Sequence, residues 1–276
     1  MDKDGSNLPM RLLYGNAAGR AVIKAMLFLQ VPKAMAWYLR TPFSKGMIRR
    51  YIRKYNISMK GYPRVGYRSF SDFFERRKKK NDFDADSKHF ISPCDSMLSV
   101  YPVTDGGVFP VKGSEYRLCD LIGDAELAEC FRGGLGLIFR LAPNDYHHYA
   151  VIDDGYMHEH HFIEGKLHSV QPIACENVPV YRLNRRCWTL LSTEHFGPVV
   201  QIEVGALAVG GIVNELENTE VKRGETMGHF SLCGSTIVVF VAKDQMKLLP
   251  EIEKSIGTGQ EQKVQLGECI GTKING

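Results

Sequence analysis

Phe230-Ser231-Leu232-Cys233-Gly234-Ser235-Thr236 leads directly into the apolar run Ile237-Val238-Val239-Phe240-Val241. Gly234 has no side chain to shield its carbonyl, and the apolar run predicts a buried strand that would hold the Ser235 hydroxyl in place. A serine held in this way can attack the peptide bond in front of it. The resulting ester can eliminate across the serine Cα and Cβ to leave dehydroalanine, which hydrolyses to a pyruvoyl group at a new N-terminus. That group is an electrophilic carbonyl, able to accept an electron pair. Taken alone, Gly-Ser-Thr ahead of a strand reads as a turn, so the company it keeps decides its meaning.

Other segments bring further chemistry. Ser92-Pro93-Cys94-Asp95-Ser96 sets an acid just after a strand start, and Leu141-Ala142-Pro143-Asn144-Asp145-Tyr146-His147-His148 sets two histidines after an apolar strand. An imidazole with an ordinary pKa near 6.5 can act as a base at neutral pH. If the segment is extended, adjacent residues point to opposite faces, so only one of His147 and His148 can look at Ser235. His147 is the expected one, and His148 is expected as an exposed strand residue. The cluster His158-Glu159-His160-His161 with His168 reads as polar residues on a strand edge, and no metal is assigned. The rival reading is a zinc, iron or copper site in a β-barrel enzyme, since His158 and His160 would share one strand face.

The elements that must position these groups differ along the chain. With 276 residues and 44% hydrophobic content, the protein can bury a substantial core as one enzyme-sized unit. Residues 1–80 hold 19 Lys and Arg against 4 Asp and Glu, whereas the remainder holds 16 against 27. Such asymmetry predicts a basic segment that meets an anionic surface. From Ser44 to Tyr55, the residues Met47, Ile48, Tyr51, Ile52 and Tyr55 recur at helical spacing, with Arg49, Arg50, Arg53 and Lys54 on the other side, a basic amphipathic helix. Ala21 to Leu39 is apolar but is interrupted by Lys24, Gln30, Pro32 and Lys33; it is too broken to span a bilayer and can lie in its interface. No nucleic-acid-binding motif accompanies the charge, so the expected partner is an anionic membrane surface and not a nucleic acid.

Beyond Lys80, short apolar runs alternate with Gly, Pro, Asn and Asp, including Ile91–Val100, Gly136–Leu141 and Ser235–Ala242. These predict strands. Val199 to Ile212 is too rich in glycine for a helix and suits two strands meeting at a bend or bulge. The expected fold class is α+β: a β-rich sandwich or barrel-like core (81–276) with N-terminal amphipathic helices in a basic, membrane-associating segment (1–80). Seven cysteines at 94, 119, 130, 175, 187, 233 and 269 form no C-x-x-C pair and follow no secretory signal. They read as reduced thiols in a cytosolic protein.

In order and spacing these segments, together with Val204-Gly205-Ala206, Gly224-Glu225-Thr226-Met227-Gly228-His229-Phe230 and Tyr67-Arg68-Ser69-Phe70-Ser71-Asp72-Phe73-Phe74-Glu75-Arg76, resemble the phosphatidylserine decarboxylase family. The resemblance covers nearly the whole chain. It implies a self-cleaving enzyme that converts phosphatidylserine to phosphatidylethanolamine and CO2, working peripherally on the cytoplasmic face of a membrane, with a homodimer plausible. Ser235 would become the pyruvoyl cofactor and Gly234 the end of a β subunit of residues 1–234, leaving an α subunit of 235–276. Asp95 would orient a histidine and stabilise its charged form, as the acid of a serine-protease triad does, and His147 would serve decarboxylation as proton donor.

Three positions depart from the family pattern. Ser96 stands where glycine is usual, and Arg185 stands where glutamate is usual. The histidine expected to activate the serine falls on Ala150, which cannot accept a proton. Either His147 or His148 takes over that task, or the chain is a silent homologue that binds acidic lipid without processing. Decarboxylation of another serine lipid or of a free amino acid is the remaining alternative.

Overall fold

The computed structural model describes residues 12–63, 66–111, 114–206, 211–232 and 235–274. The helices ahead of the first strand include α1 (Ala17–Phe28), α2 (Val31–Arg40), α3 (Gly46–Tyr55) and α4 (Phe70–Phe74). The apolar stretch from Ala21 to Leu39 is divided between α1 and α2. Gln30 takes a left-handed conformation with φ of 54°, and Pro32 lies in the first turn of α2, where its missing N–H leaves no broken hydrogen bond. The helix expected from Ser44 is a single 3-10 turn over Pro42–Lys45 followed by α3. Among the described residues no helix is long and apolar enough to cross a membrane.

The strands follow in chain order: β1 (His89–Ile91), β2 (Ser96–Pro102), β3 (Val108–Val111), β4 (Ser114–Arg117), β5 (Leu135–Leu141), β6 (His148–Ala150), β7 (Gly155–Ile163), β8 (Arg186–Thr193), β9 (Gly197–Val204), β10 (Gly211–Asn214), β11 (Thr219–Val221), β12 (Thr226–Ser231), β13 (Ser235–Val241), β14 (Met246–Leu248), β15 (Gln262–Val264) and β16 (Cys269–Lys273). Eight of them form one antiparallel sheet in the order β11-β7-β8-β9-β13-β5-β2-β15. Among the described residues, two three-stranded sheets, β1-β16-β14 and β10-β12-β6, and the hairpin β3-β4 complete the β structure. The glycine-rich Val199–Ile212 stretch supplies β9 and β10, which lie in different sheets, while residues 207–210 between them fall outside the described residues.

Both faces of the large sheet are covered. On one face Leu137, Phe139, Ile237 and Val239 pack with Phe230, Met227, Tyr149 and Ile270 from the two small sheets. On the other, Ile138, Val238, Phe240 and Val204 pack with Phe109, Tyr116, Leu121, Phe131 and Ile23. A strand buried on both faces gains from apolar residues at every position and not at alternate ones. That is why Ser235-Thr236-Ile237-Val238-Val239-Phe240-Val241 reads as an unbroken run and is buried throughout.

The N-terminal helices close a third cluster. Ala36, Leu39, Phe70, Phe73 and Phe74 pack with Leu232, and Ile48, Tyr51, Ile52 and Tyr55 of α3 lean on the same group. The apolar side of α3 is therefore turned to the protein. The most exposed large aromatics lie outside α3: Phe28, Trp37 and Phe43 are 86%, 72% and 84% exposed. Gly46, Arg49, Arg50, Arg53 and Lys54 line a groove on α3.

Truncating the centre of β13 removes buried volume on a strand that both cores share. Ile237→Ala, made in Ser235→Ala protein so that cleavage does not intervene, should lower unfolding free energy by about 2–5 kcal/mol in urea titrations. Phe43→Ser, at an exposed position, should stay within about 0.5 kcal/mol.

Candidate active site

Two chain crossings define the site. The chain leaves the large sheet after β5 and enters the small sheet at β6. It returns from β12 of that small sheet to the large one at β13. β6 pairs with β12 and β5 pairs with β13, so both crossings pass the same corner. The last rung on the small sheet is Phe230 N–H donating to His147 O at 2.9 Å, and the first on the large sheet pairs Ser235 with Leu141. Register thus brings His147 and Ser235 to one corner. Leu232, three residues before Ser235, is buried with φ of 54°, a backbone state that costs a bulky side chain energy and persists where packing enforces it. Gly234 itself lies outside the described residues.

Ser235 Oγ is buried and has no hydrogen-bond partner among the described residues. His147 is also fully buried, tilted against the Phe74 ring with centroids 4.2 Å apart. Its Nδ1 lies 3.0 Å from Asp145 O. A carbonyl can only accept, so Nδ1 carries the hydrogen and Nε2 keeps its lone pair. That Nε2 is buried without a partner. Burial pushes the imidazole down to about 3, because the charged form would lose its hydration with no carboxylate in direct contact to replace it. His147 is a neutral base, correctly tautomerised.

His148 is not the exposed strand residue expected from the sequence. It is buried, donates through Nε2 to Glu75 O at 3.0 Å, and stacks between Tyr146 and His229 at 4.7 and 4.9 Å. Burial lowers its pKa to about 4. The physical reason is the Phe73-Phe74-Glu75-Arg76 segment, which covers this side of β6. Capping fixes the start of that segment: Ser69 Oγ accepts from Asp72 N–H at 3.2 Å, and the Asp72 carboxylate accepts from the N–H of Arg68, the residue before the cap, at 2.7 Å.

Asp95 has no histidine in hydrogen-bond contact. Its carboxylate takes the Leu266 N–H at 2.8 Å and the Lys78 ammonium at 3.2 Å. Ala150 N–H donates to Pro93 O at 2.9 Å, so position 150 does lie against the Ser92–Ser96 segment, but its methyl packs with Tyr62, Tyr146 and Leu266. Lys78 supplies the positive partner to Asp95 that an imidazolium would otherwise supply. Asp145 is likewise held by Lys263 and by Ala142 N–H. Burial raises its pKa against the pull of that lysine. Ser96 begins β2 without a positive φ, so the turn needs no glycine there. Arg185, the other departure, pairs at the surface with Glu164 at 3.4 Å.

The 158–161 histidines do not converge. His158 bonds Ser192 Oγ, His160 bonds Thr189 Oγ1 and Leu216 O, and His161 stacks on Trp188 at 4.0 Å. His168 lies elsewhere, 6.3 Å from the Tyr14 ring. Its loop is tied down by Asn184, whose side chain bonds His168 N and O and also Gly205 O. Three residues escaped the sequence reading as site residues: Lys78, Lys263 and Glu203. Only Glu203 left a clear signal, since a lone glutamate in Val199-Val200-Gln201-Ile202-Glu203-Val204 must bury its carboxyl if the run is a two-faced core strand.

Comparison with known proteins gives the same assignment by an independent route. The family model described as phosphatidylserine decarboxylase matches residues 70–272. The chain is 37% identical over 273 residues, 98% of its length and 94% of the relative's, to phosphatidylserine decarboxylase proenzyme 2 of Clostridium acetobutylicum. It is 36% identical to the phosphatidylserine decarboxylase proenzyme of Clostridium kluyveri over 91% of this chain and 86% of that one. With the proenzyme of Clostridium botulinum strain Eklund 17B it shares 39% over 75% and 72% of the two chains. The family model covers more than half of the chain and these relatives are more than 30% identical over most of it, and the chain belongs to the phosphatidylserine decarboxylase family.

Proposed function

We propose that the protein cleaves itself between Gly234 and Ser235 and then decarboxylates phosphatidylserine to phosphatidylethanolamine and CO2. The observation that carries this reading is the His147 imidazole, which gives its Nδ1 hydrogen to Asp145 O and leaves a free Nε2 lone pair in the corner where Ser235 begins its strand. In self-cleavage, His147 Nε2 accepts the Ser235 Oγ proton as the oxygen attacks the Gly234 carbonyl. A base with so low a pKa is weak. The reaction has to happen only once per chain, so a slow step is sufficient. His147 stays neutral throughout the range in which proteins work.

The buried, unpartnered Ser235 hydroxyl at the head of a fixed strand fits a residue that becomes a pyruvoyl group. That group supplies a carbonyl that draws electrons from the substrate carbon as CO2 leaves. The chain provides the setting: Phe74 and the strands around Ser235 exclude water, while Lys78 and Lys263 neutralise Asp95 and Asp145. Phospholipid reaches the site from an anionic membrane surface. Phe28, Trp37 and Phe43 would enter the interface and the Arg49–Lys54 groove would face the headgroups. This is peripheral attachment on the cytoplasmic side.

Purified protein should run as two chains, residues 1–234 and 235–276, and release CO2 from phosphatidylserine vesicles. Ser235→Ala should leave one full-length band and no CO2 release. A wild-type chain that stays whole and releases no CO2 would instead be the silent, lipid-binding homologue. His147→Ala should slow cleavage by roughly 10²–10⁴-fold, the usual worth of a general base. Because the base form persists down to about 3, the wild-type cleavage rate should not fall between about pH 8 and 5. A histidine of ordinary pKa would lose about thirtyfold at the acid end of that range. Replacing Phe28, Trp37 and Phe43 together by serine should abolish sedimentation with anionic vesicles at physiological salt and leave self-cleavage intact.

A further inference from the structure

Glu203 is a fully buried carboxyl with no ion-pair partner among the described residues. It sits on β9, paired with Ile237 of β13. Side chains alternate along a strand, so Glu203, Ile237 and Ser235 share one face of the large sheet. Glu203 and Ser235 are diagonal neighbours across an antiparallel pair, which sets their backbones about 7–8 Å apart, within reach of a glutamate side chain. Its Oε1 takes Gln201 Nε2–H at 2.8 Å, while Oε2 is buried without a partner.

Such an orphaned acid is costly unless it is protonated or used. Burial pushes Glu203 up to about 7, against the opposing pull of the Gln201 hydrogen bond and the nearby Asn214 amide. The groups facing it from adjacent elements do not ionise near neutrality. Tyr149 on β6 and Cys187 on β8 are both held well above their usual ranges by burial and by Glu203 itself. Gly228 is what lets Tyr149 come so close. A Cβ there would lie 2.8 Å from the Tyr149 hydroxyl and 2.3 Å from Val213 O.

His147 cannot supply every proton the reaction needs. Its one hydrogen is given to Asp145 O, and its free nitrogen accepts. We propose that Glu203 is the proton donor of decarboxylation, delivering from the Ser235 face of the sheet the hydrogen that replaces CO2 on the substrate. This rests on the function proposed above. The bond between the carboxyl carbon and Cα of the serine head group breaks and leaves its electron pair with Cα. CO2 departs, and the Glu203 O–H proton joins that pair as the new C–H. One carboxylate disappears with the substrate and one appears on Glu203, so the charge of the dry site does not change. Water returns the proton to Glu203 once product has left. The sequence resemblance gives the donor role to His147; the geometry assigns the two residues different tasks, base and acid.

Glu203→Gln keeps the shape and the Gln201 hydrogen bond but removes the proton. Expected are two chains on a gel, KM for phosphatidylserine vesicles within about twofold of wild type, and kcat lower by roughly 10²–10³-fold. The alkaline limb of the pH–rate profile near 7 should vanish. Glu203→Asp, which retains a proton on a shorter stem, should keep part of kcat and the limb. Independently of turnover, infrared titration of uncleaved Ser235→Ala protein should show a buried protonated carboxyl that ionises near neutral pH and is missing when Glu203→Gln is added. An E203Q enzyme with wild-type kcat and pH profile, or no such carboxyl signal, overturns the assignment. Glutamine and aspartate variants that both stay uncleaved would make Glu203 a folding residue and overturn it too. Wild-type protein that releases no CO2 would overturn the functional reading and this assignment together.

Discussion

Everything at the site depends on β13 being locked between β5 and β9 with both faces buried. A strand in that position cannot slip by one residue without driving Ser235 and Ile237 to the opposite face and exchanging the two cores. The serine hydroxyl is thereby fixed in direction and kept dry. The chain just before it is forced through Leu232 in a left-handed conformation, pinned by the Phe70, Phe73 and Phe74 cluster of the N-terminal segment. Those N-terminal residues thus help to build the corner at which Ser235 begins its strand.

Burial also sorts the protons. The same loss of hydration drives an imidazole toward its neutral form and a carboxyl toward its protonated form. At this corner it leaves His147 able to take a proton and Glu203 able to give one. Two further acids near the corner each have a lysine at hand, Asp95 beside Lys78 and Asp145 beside Lys263. The substitution at Ala150 fits this division. With no histidine there, Asp95 has no imidazolium to steady, and Lys78 occupies its carboxylate.

The sequence carried the parts of this arrangement that are local. The apolar run after Ser235 predicts its strand and the periodicity of Met47 to Tyr55 predicts α3, while the alternation rule says only that His147 and His148 point to opposite faces. Long-range packing was not legible. Nothing near His148 in the chain reveals that Glu75 and His229 enclose it, and nothing near Asp95 reveals Lys78, 17 residues earlier. The amphipathic pattern of α3 marks an apolar face but not what covers it: the protein core takes Ile48 and Tyr51, and the exposed aromatics come from Phe28, Trp37 and Phe43 instead. Glu203 was visible as an anomaly in an apolar strand, but its meaning needed the register with β13.

The central claim is that Ser235 is consumed to make the group that does the chemistry. Intact-mass measurement of the purified protein tests it most directly. The account predicts a fragment of residues 235–276 whose first residue has the mass of a pyruvoyl group and resists N-terminal amine labelling. A single chain at the full mass of 276 residues, or a fragment that begins with an unmodified serine, would contradict it.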